Sequence, residues 1–181
     1  MLFEAQKLDG VFIIKPNLFK DDRGVFIEIF KHIEFKEKLN CNFVQDNQIY
    51  NRSKNILRGL HYQIENPQGK LIHVVSGAIL DVIVDIRIGS PNFGKTLSVC
   101  LDSTNCKLLF VPPGYAHGYL VLEENTVVHY KCTDYYNPKS EYGIRWDDSD
   151  LNIPWKVSNP ILSEKDKSLP FLNDQKMFPS I

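Results

Sequence analysis

The chain has 181 residues, 43% of them hydrophobic, and a formal net charge of −1 at pH 7. A chain of this size and composition can bury one sizeable core, so we predict a single domain over residues 1–181. The lack of a basic surplus argues against a nucleic-acid-binding protein and favours a small ligand.

The sequence also lacks the features of secretion and membrane insertion. Its first residues, MLFEAQKLDG, contain no basic segment followed by a long apolar run. Apolar stretches stay below the roughly 18 residues that a membrane span requires, which predicts a cytoplasmic protein that contacts no membrane. The four cysteines show no C-x-x-C spacing and are expected to be free thiols.

Signals for β-strands dominate the chain, because short β-branched and aromatic runs are separated by Gly, Pro, Asn and Asp. In chain order, the predicted strands lie at 10–16, 24–30, 57–63, 70–77, 77–87, 96–102, 107–113, 118–122 and 126–136. Short helices are predicted within 29–40 and 162–171. So many short strands indicate an all-β sandwich, jelly roll or barrel, with the segment from about 160 to 181 packed on it.

One predicted strand, LRGLHYQ at 57–63, places Arg58 and His61 three positions apart. A regular strand alternates its side chains and would send these two to opposite faces. Gly59, which stands between them, can adopt backbone angles closed to other residues. We therefore hypothesise a bulge or kink at Gly59 that turns both side chains to the same side.

Many jelly rolls bind a metal through an H-x-H pair, a Glu and a later His. The later half is present as PPGYAHG, which ends near His117, but HYQ places Gln63 where a second imidazole is needed. Two imidazoles and a carboxamide suit zinc or ferrous iron poorly, so we predict no metal. A metal-dependent barrel is the alternative, and it would lose its activity to a chelator.

Several side chains are suited to moving protons. His61 is a candidate general base, because an imidazole titrates near neutral pH. The stretch HYKCTDYY offers Tyr130, Tyr135 and Tyr136 as candidates to deliver a proton to a carbanion or enolate, and QGK offers Lys70. Each also has a structural interpretation, the histidine as a hydrogen-bonded core residue and the tyrosine as a good strand former.

Nine motifs, read in order, resemble the dTDP-4-dehydrorhamnose 3,5-epimerase family. They are DDRGVF, FVQDN, LRGLHYQ, QGKLI, DVIVDIR, SPNFG, VPPGYAHGY, YKCTDYY and LSEKD, and the match extends from about residue 10 to residue 172. The resemblance implies a cupin-type jelly roll, a homodimer and no cofactor. It also implies epimerisation at C3 and C5 of dTDP-4-dehydro-6-deoxy-D-glucose, on the way to dTDP-L-rhamnose.

The resemblance further implies catalytic roles. His61 is the base, Tyr130 the acid, Lys70 the ammonium group that stabilises an enolate oxygen, and Asp166 the carboxylate that holds the imidazole of His61. A ketone at C4 acidifies the hydrogens on both neighbouring carbons, so one base and one acid on opposite faces suffice. Ser163 and Asp166 also have the spacing of a helix capping box, which is the structural alternative for Asp166.

Nine further residues are expected to bind the substrate. Arg58 suits a phosphate oxygen pair, and Arg23 resembles the arginine that reaches the pyrophosphate from the partner subunit. The amides of Gln45 and Asn47 can recognise thymine without adding charge. The remaining candidates are Glu28, Phe19 and Tyr135 near the nucleotide, His117 near the sugar, and Asp81 in the polar network or as a structural carboxylate.

Two positions depart from the family pattern, and three alternatives stay open. The family usually has an arginine where this chain has His73 and an aromatic residue where it has Val25. Relatives of this scaffold invert only C3 or act on other nucleotide-linked ketosugars, including GDP-linked heptoses. A non-catalytic sugar-nucleotide-binding barrel would need neither His61 nor Tyr130. His32 and His129 have no assigned role, and His129 should face away from Tyr130.

Overall fold

A computed structural model describes residues 1–174 and residue 178. Its strands are β1 Leu2–Ala5, β2 Phe12–Lys15, β3 Leu18–Asp21, β4 Gly24–Ile27, β5 Gln45–Asn51, β6 Leu57–Gln63, β7 Lys70–Ser76, β8 Ala78–Asp85, β9 Thr96–Asp102, β10 Leu108–Val111, β11 Tyr115–Val121, β12 Thr126–Cys132 and β13 Glu141–Gly143. The helices are α1 His32–Leu39, α2 Glu164–Lys167 and a 3-10 turn at Leu172–Asp174. Neither α1 nor α2 has the length and apolar character to cross a membrane.

The strands form two antiparallel sheets that pack face to face. One sheet has the order β1-β2-β10-β7-β12-β5, and the other has the order β13-β6-β11-β8-β9. The space between the sheets contains Ile72, Val74 and Val128 from the first sheet and Ile79 and Ile83 from the second. The predicted all-β jelly roll is therefore confirmed. A separate hairpin of β3 and β4 stands outside both sheets.

The outer faces of the two sheets are covered by different segments. Phe35 of α1 packs on the first sheet, where it joins an apolar cluster that includes Leu71 and Phe110. The segment after β13 packs on the second sheet, with Trp155 and Leu172 in its apolar cluster. Within the described residues, the chain after about 160 thus lies on the barrel wall; residues 175–177 and 179–181 fall outside them.

The two faces of β8 illustrate how the sequence pattern positions the site. Val82 and Val84 point outward into the cluster beneath the C-terminal segment. Ile83 points between the sheets, and Asp81, on the same face, is fully buried. The acidic face of this strand is therefore turned into the barrel, where a carboxylate needs a partner because burying an unpaired charge is costly.

Candidate active site

One end of the barrel contains a cavity of about 240 Å³ between the two sheets and α2. A smaller space of about 100 Å³ adjoins it. Both are lined by His61, Lys70, His117 and Tyr130, so these four side chains stand between the two spaces. The strands that carry them, β6, β7, β11 and β12, come from both sheets.

The structure places Arg58 and His61 on the wall of the same cavity. The β6–β11 register pairs His117 with His61 but Tyr119 with Arg58, so three steps along β6 oppose two along β11. This one-residue irregularity is the bulge that the sequence predicted at Gly59. Gly59 has φ +100°, and a Cβ there would lie 2.6 Å from the His117 carbonyl oxygen, so only glycine fits.

His61 is held by a carboxylate from α2. Its Nε2 lies 2.6 Å from Oδ1 of Asp166, whose side chain is 5% exposed. Burial raises the pKa of Asp166, but hydrogen bonds from His61, Ser163 and the backbone of Gly59 outweigh it, and the net pKa is lowered. An ionised carboxylate on Nε2 leaves Nδ1 of the neutral ring free to accept a proton.

Ser163 caps the helix turn that carries Asp166, and Asp166 contributes only its backbone N–H to this cap. The backbone N–H of Asp166 donates to Oγ of Ser163 at 3.1 Å, which is the capping interaction. The side chain points the other way, to His61. The cap fixes the start of α2 and with it the direction from which the carboxylate reaches the imidazole.

A second imidazole–carboxylate pair lies beside the first. Nε2 of His117 is 2.9 Å and 3.0 Å from the two oxygens of Asp81. Burial raises the pKa of Asp81, although His117 and Lys70 act against this effect. The spacing of these two residues, 36 positions apart, gives no sequence signal, but the β8–β11 register brings their strands side by side.

Tyr130 and Lys70 complete the ring of polar groups around the cavity. Burial, reinforced by Cys132 and Tyr119, raises the pKa of Tyr130 to about 12, so this phenol is protonated at neutral pH. Burial lowers the pKa of the Lys70 ammonium group, while Glu141 and Asp81 act against this effect. A phenol and an amine thus face the same space as the imidazole of His61.

The groups expected to bind a nucleotide are arranged along β5 and β6. Nε of Arg58 donates to Oδ1 of Asn51 at 3.0 Å, which fixes the guanidinium at the cavity wall. Gln45 and Asn47 lie on the same face of β5 as Ile49, which lines the cavity. Their amides are joined by a hydrogen bond of 3.1 Å.

Four predicted binding residues lie away from the cavity of their own chain. Phe19, Arg23 and Glu28 are exposed on or directly after the β3–β4 hairpin, and the side chain of Arg23 is 90% exposed. Tyr135 is exposed on the loop after β12. In this one chain they contribute nothing to the cavity wall.

The residues at the two departures from the family pattern, and the histidines with no assigned role, are not part of the cavity wall. Val25 is exposed on the hairpin, and His32 begins α1. His129 faces away from Tyr130, as strand alternation predicts, and pairs across strands with His73. Burial lowers the pKa of both His73 and His129, so these imidazoles are neutral at pH 7.

Sequence reasoning missed Glu141, which lies close to the proposed base. Its Oε1 is 3.9 Å from Nδ1 of His61, and its Oε2 accepts hydrogen bonds from Tyr136 and Lys165. Glu141 belongs to the three-residue strand β13, which pairs with β6 across about 80 positions. No local pattern could have found it.

Gln63 stands at the position where a metal-binding jelly roll would need a second imidazole. Its amide nitrogen donates to the carbonyls of Asn66 and Tyr135, and its oxygen accepts from the backbone N–H of Asn137. Gln63 therefore supports the neighbouring loops. Among residues 1–174 and 178, no three His, Cys, Asp or Glu side chains form a group able to hold a metal ion.

A jelly roll in which proton donors and acceptors face one cavity belongs to a class of cupin-like barrels suited to acid–base chemistry on a bound ligand. Comparison with known proteins narrows this class. The family model for dTDP-4-dehydrorhamnose 3,5-epimerase matches residues 5–174. The chain belongs to this family.

Individual relatives cover nearly the whole chain. A dTDP-4-dehydrorhamnose 3,5-epimerase of Methanothermobacter thermautotrophicus is 42% identical over 180 residues, 97% of each chain. The Legionella pneumophila epimerase, solved in complex with dTDP-4-keto-L-rhamnose, superposes with a TM-score of 0.94 at 40% identity, covering 99% of this chain and 98% of that one. ChmJ, a 3'-monoepimerase of Streptomyces bikiniensis solved with dTDP-quinovose, gives 0.90 at 30% identity, covering 97% and 91%.

Proposed function

We propose that this protein inverts C3 and C5 of dTDP-4-dehydro-6-deoxy-D-glucose to give dTDP-4-dehydro-L-rhamnose, using only its own side chains. The observation that carries this proposal is the His61–Asp166 contact of 2.6 Å beside Tyr130 in one cavity. That arrangement supplies a base and an acid to a ketosugar, and the family supplies the substrate class. We also propose, as the sequence predicted, that the protein is a single domain and works in the cytoplasm.

The chemistry proceeds through an enolate. Nδ1 of His61 takes the proton from a carbon next to the C4 ketone, and the charge moves onto the ketone oxygen. Lys70 stabilises that oxygen as it becomes negative. Tyr130 then delivers its phenolic proton to the opposite face of the carbon, which inverts the centre.

Asp166 and Tyr130 are suited to these roles by their charge states. The ionised Asp166 stabilises the imidazolium that His61 becomes, as in other carboxylate–histidine pairs. Tyr130, with its pKa raised to about 12, holds its proton until a strongly basic carbanion or enolate forms beside it. His117, held by Asp81, is placed to donate a hydrogen bond to the sugar.

Arg58 is the proposed anchor for the diphosphate. Its guanidinium fork matches a pair of phosphate oxygens, and the bulge at Gly59 turns it into the same space as His61. The amides of Gln45 and Asn47 can bind the thymine edge next to it. The exposed Tyr135 on the adjoining loop is available to stack on the base.

We further propose a homodimer in which the β3–β4 hairpin completes the site of the partner. Phe19 is 58% exposed and Phe26 is 68% exposed, although their rings are in contact, so the hairpin presents apolar surface to solvent in a single chain. The hairpin also carries Arg23, and Glu28 follows it, so covering it with a second chain would deliver a cation and an aromatic group.

Mixing two inactive variants tests the shared site. R23A and H61A should each be inactive as homodimers, whereas mixed dimers regain one intact site. Light scattering gives the oligomeric state, and activity on mixing gives the sharing. A monomer, or no recovery after verified subunit exchange, would contradict the shared site.

Hydrogen exchange tests the reaction itself. The protein is incubated in D₂O with dTDP-4-dehydro-6-deoxy-D-glucose, and the C3 and C5 protons are followed by NMR. Loss of both signals with formation of the L-rhamno ketosugar supports the double inversion. Exchange at C3 alone supports the second candidate, a C3 epimerase, which is the activity of the structurally similar Streptomyces bikiniensis 3'-monoepimerase. Absence of exchange, followed by exchange with a GDP-linked ketosugar, would show that the nucleotide is different.

A further inference from the structure

Glu141 links the interior of the cavity to its surface. One oxygen, Oε1, lies 3.9 Å from Nδ1 of His61, the nitrogen that Asp166 leaves free. The other, Oε2, accepts a hydrogen bond of 2.7 Å from the phenol of Tyr136 and forms an ion pair with Lys165. Tyr136 is 52% exposed, while the side chain of Glu141 is only 14% exposed.

The charge state of Glu141 allows it to receive a proton. Burial raises its pKa, but Lys165, Tyr136 and His61 outweigh that effect, and the net pKa is lowered. Its carboxylate is therefore ionised at neutral pH. The same carboxylate is among the groups that raise the pKa of Tyr130, after burial, Cys132 and Tyr119.

The proposed reaction creates a need for such a group. Each inversion leaves His61 protonated and Tyr130 deprotonated, so one base and one acid cannot act a second time until both are reset. The imidazolium, whose side chain is 24% exposed, is hydrogen-bonded to the ionised Asp166, which holds the Nε2 proton in place. A route from Nδ1 to solvent is needed between the two inversions.

We infer that Glu141 is this route, a residue that acts through His61 and discharges it to solvent at the Tyr136 end. The N–H bond at Nδ1 of the imidazolium breaks and an O–H bond forms on Glu141, through one water that bridges the 3.9 Å between the two atoms. The carboxyl proton then passes to water beside Tyr136, and Glu141 is again a carboxylate. Solvent returns one proton to the phenolate of Tyr130, so the enzyme gains or loses no net proton over one inversion.

The inference rests on the proposed epimerisation and gives it an asymmetric kinetic signature. The first proton abstraction starts from neutral His61 and needs no discharge, whereas the second needs it. In E141Q, with enzyme in excess over dTDP-4-dehydro-6-deoxy-D-glucose in D₂O, we expect the first exchange to stay within about twofold of wild type. The second exchange should slow by about tenfold or more, and a singly inverted sugar should accumulate.

Two further variants separate this role from a structural one. E141D keeps a carboxylate and should recover part of the second exchange rate. E65Q makes the same substitution at an exposed glutamate two residues after β6 and should leave both exchanges as in wild type. Thermal unfolding and dTDP binding of E141Q show whether the variant is folded and binds nucleotide.

Each outcome of the E141Q exchange experiment either supports or overturns the inferred role of Glu141. Slowing of the second exchange alone supports the inference, whereas equal slowing of both exchanges, or of neither, overturns it while the epimerase function stands. If wild type exchanges only C3, the discharge falls between turnovers, and E141Q should give a burst of one exchange per site followed by a slow phase. If wild type exchanges neither carbon, the proposed function fails and the inference fails with it.

Discussion

Replacing Asp166 by asparagine removes the charge that supports the proposed base. The Asp166 carboxylate lies 2.6 Å from His61 and is almost fully buried, so its hydrogen bond to an imidazolium is charge-assisted. Such a bond contributes about 1.5–3 kcal/mol, and since 1.36 kcal/mol is tenfold, D166N should slow exchange roughly 10- to 150-fold. If the new amide donates to Nε2, it selects the wrong tautomer, and the loss approaches the ~10⁴-fold of serine-protease triads.

The assay is the exchange rate at C3 and C5 in D₂O, measured with saturating ketosugar. D166N keeps the backbone N–H that Ser163 caps, so α2 should still form. D148N is a matched control, because Asp148 is buried and accepts backbone N–H groups far from the cavity. We expect it to lower thermal stability and to leave exchange per folded molecule unchanged. An exchange rate for D166N within about twofold of wild type would refute the proposed dyad.

Three other substitutions test the anchor, the bulge and the buried imidazoles. R58K replaces a fork by a point charge and should weaken dTDP binding about tenfold in calorimetry, with a smaller effect on the turnover rate. G59A places a Cβ 2.6 Å from the His117 carbonyl at a positive φ, and should cost at least about 2 kcal/mol of unfolding free energy, measured with urea. Burial lowers the pKa values of His73 and His129 below 6.5, so the unfolded chain binds more protons there and stability falls as pH drops below about 6.5. H73Q should reduce that fall, seen as a smaller difference in thermal midpoint between pH 7.5 and 5.5, and an unchanged difference would contradict it.

The sequence predicted those parts of the site that depend on local chain geometry. Two-residue alternation along β8 and β12 is enough to separate Asp81 from Val82 and Tyr130 from His129. The bulge at Gly59 was predicted because Arg58 and His61 require it if both contact one ligand. Each of these inferences needed only neighbouring residues.

Other parts of the fold and of the site depend on pairing between strands that are distant in the sequence, and no local sequence pattern reveals such pairing. The edge strand β5 was missed because QDNQIYN carries polar residues on both faces and so lacks the alternation of a half-buried strand. β1 and β3, with four residues each, were also missed. Glu141 reaches His61 only because β13 pairs with β6, so its position follows from the fold alone.

The two imidazole–carboxylate pairs differ in a way that supports His61, and not His117, as the proposed base. Asp166 receives enough hydrogen bonds to lower its pKa despite burial, whereas burial prevails at Asp81 and raises its pKa. Opposite shifts in neighbouring carboxyl groups indicate different roles. An ionised Asp166 can stabilise the positive charge that the proposed base His61 acquires, whereas the raised pKa of Asp81 suits the proposed role of His117 as a hydrogen-bonding group. Glu141 lies 3.9 Å from His61, so the proposed proton outlet stands beside the proposed base.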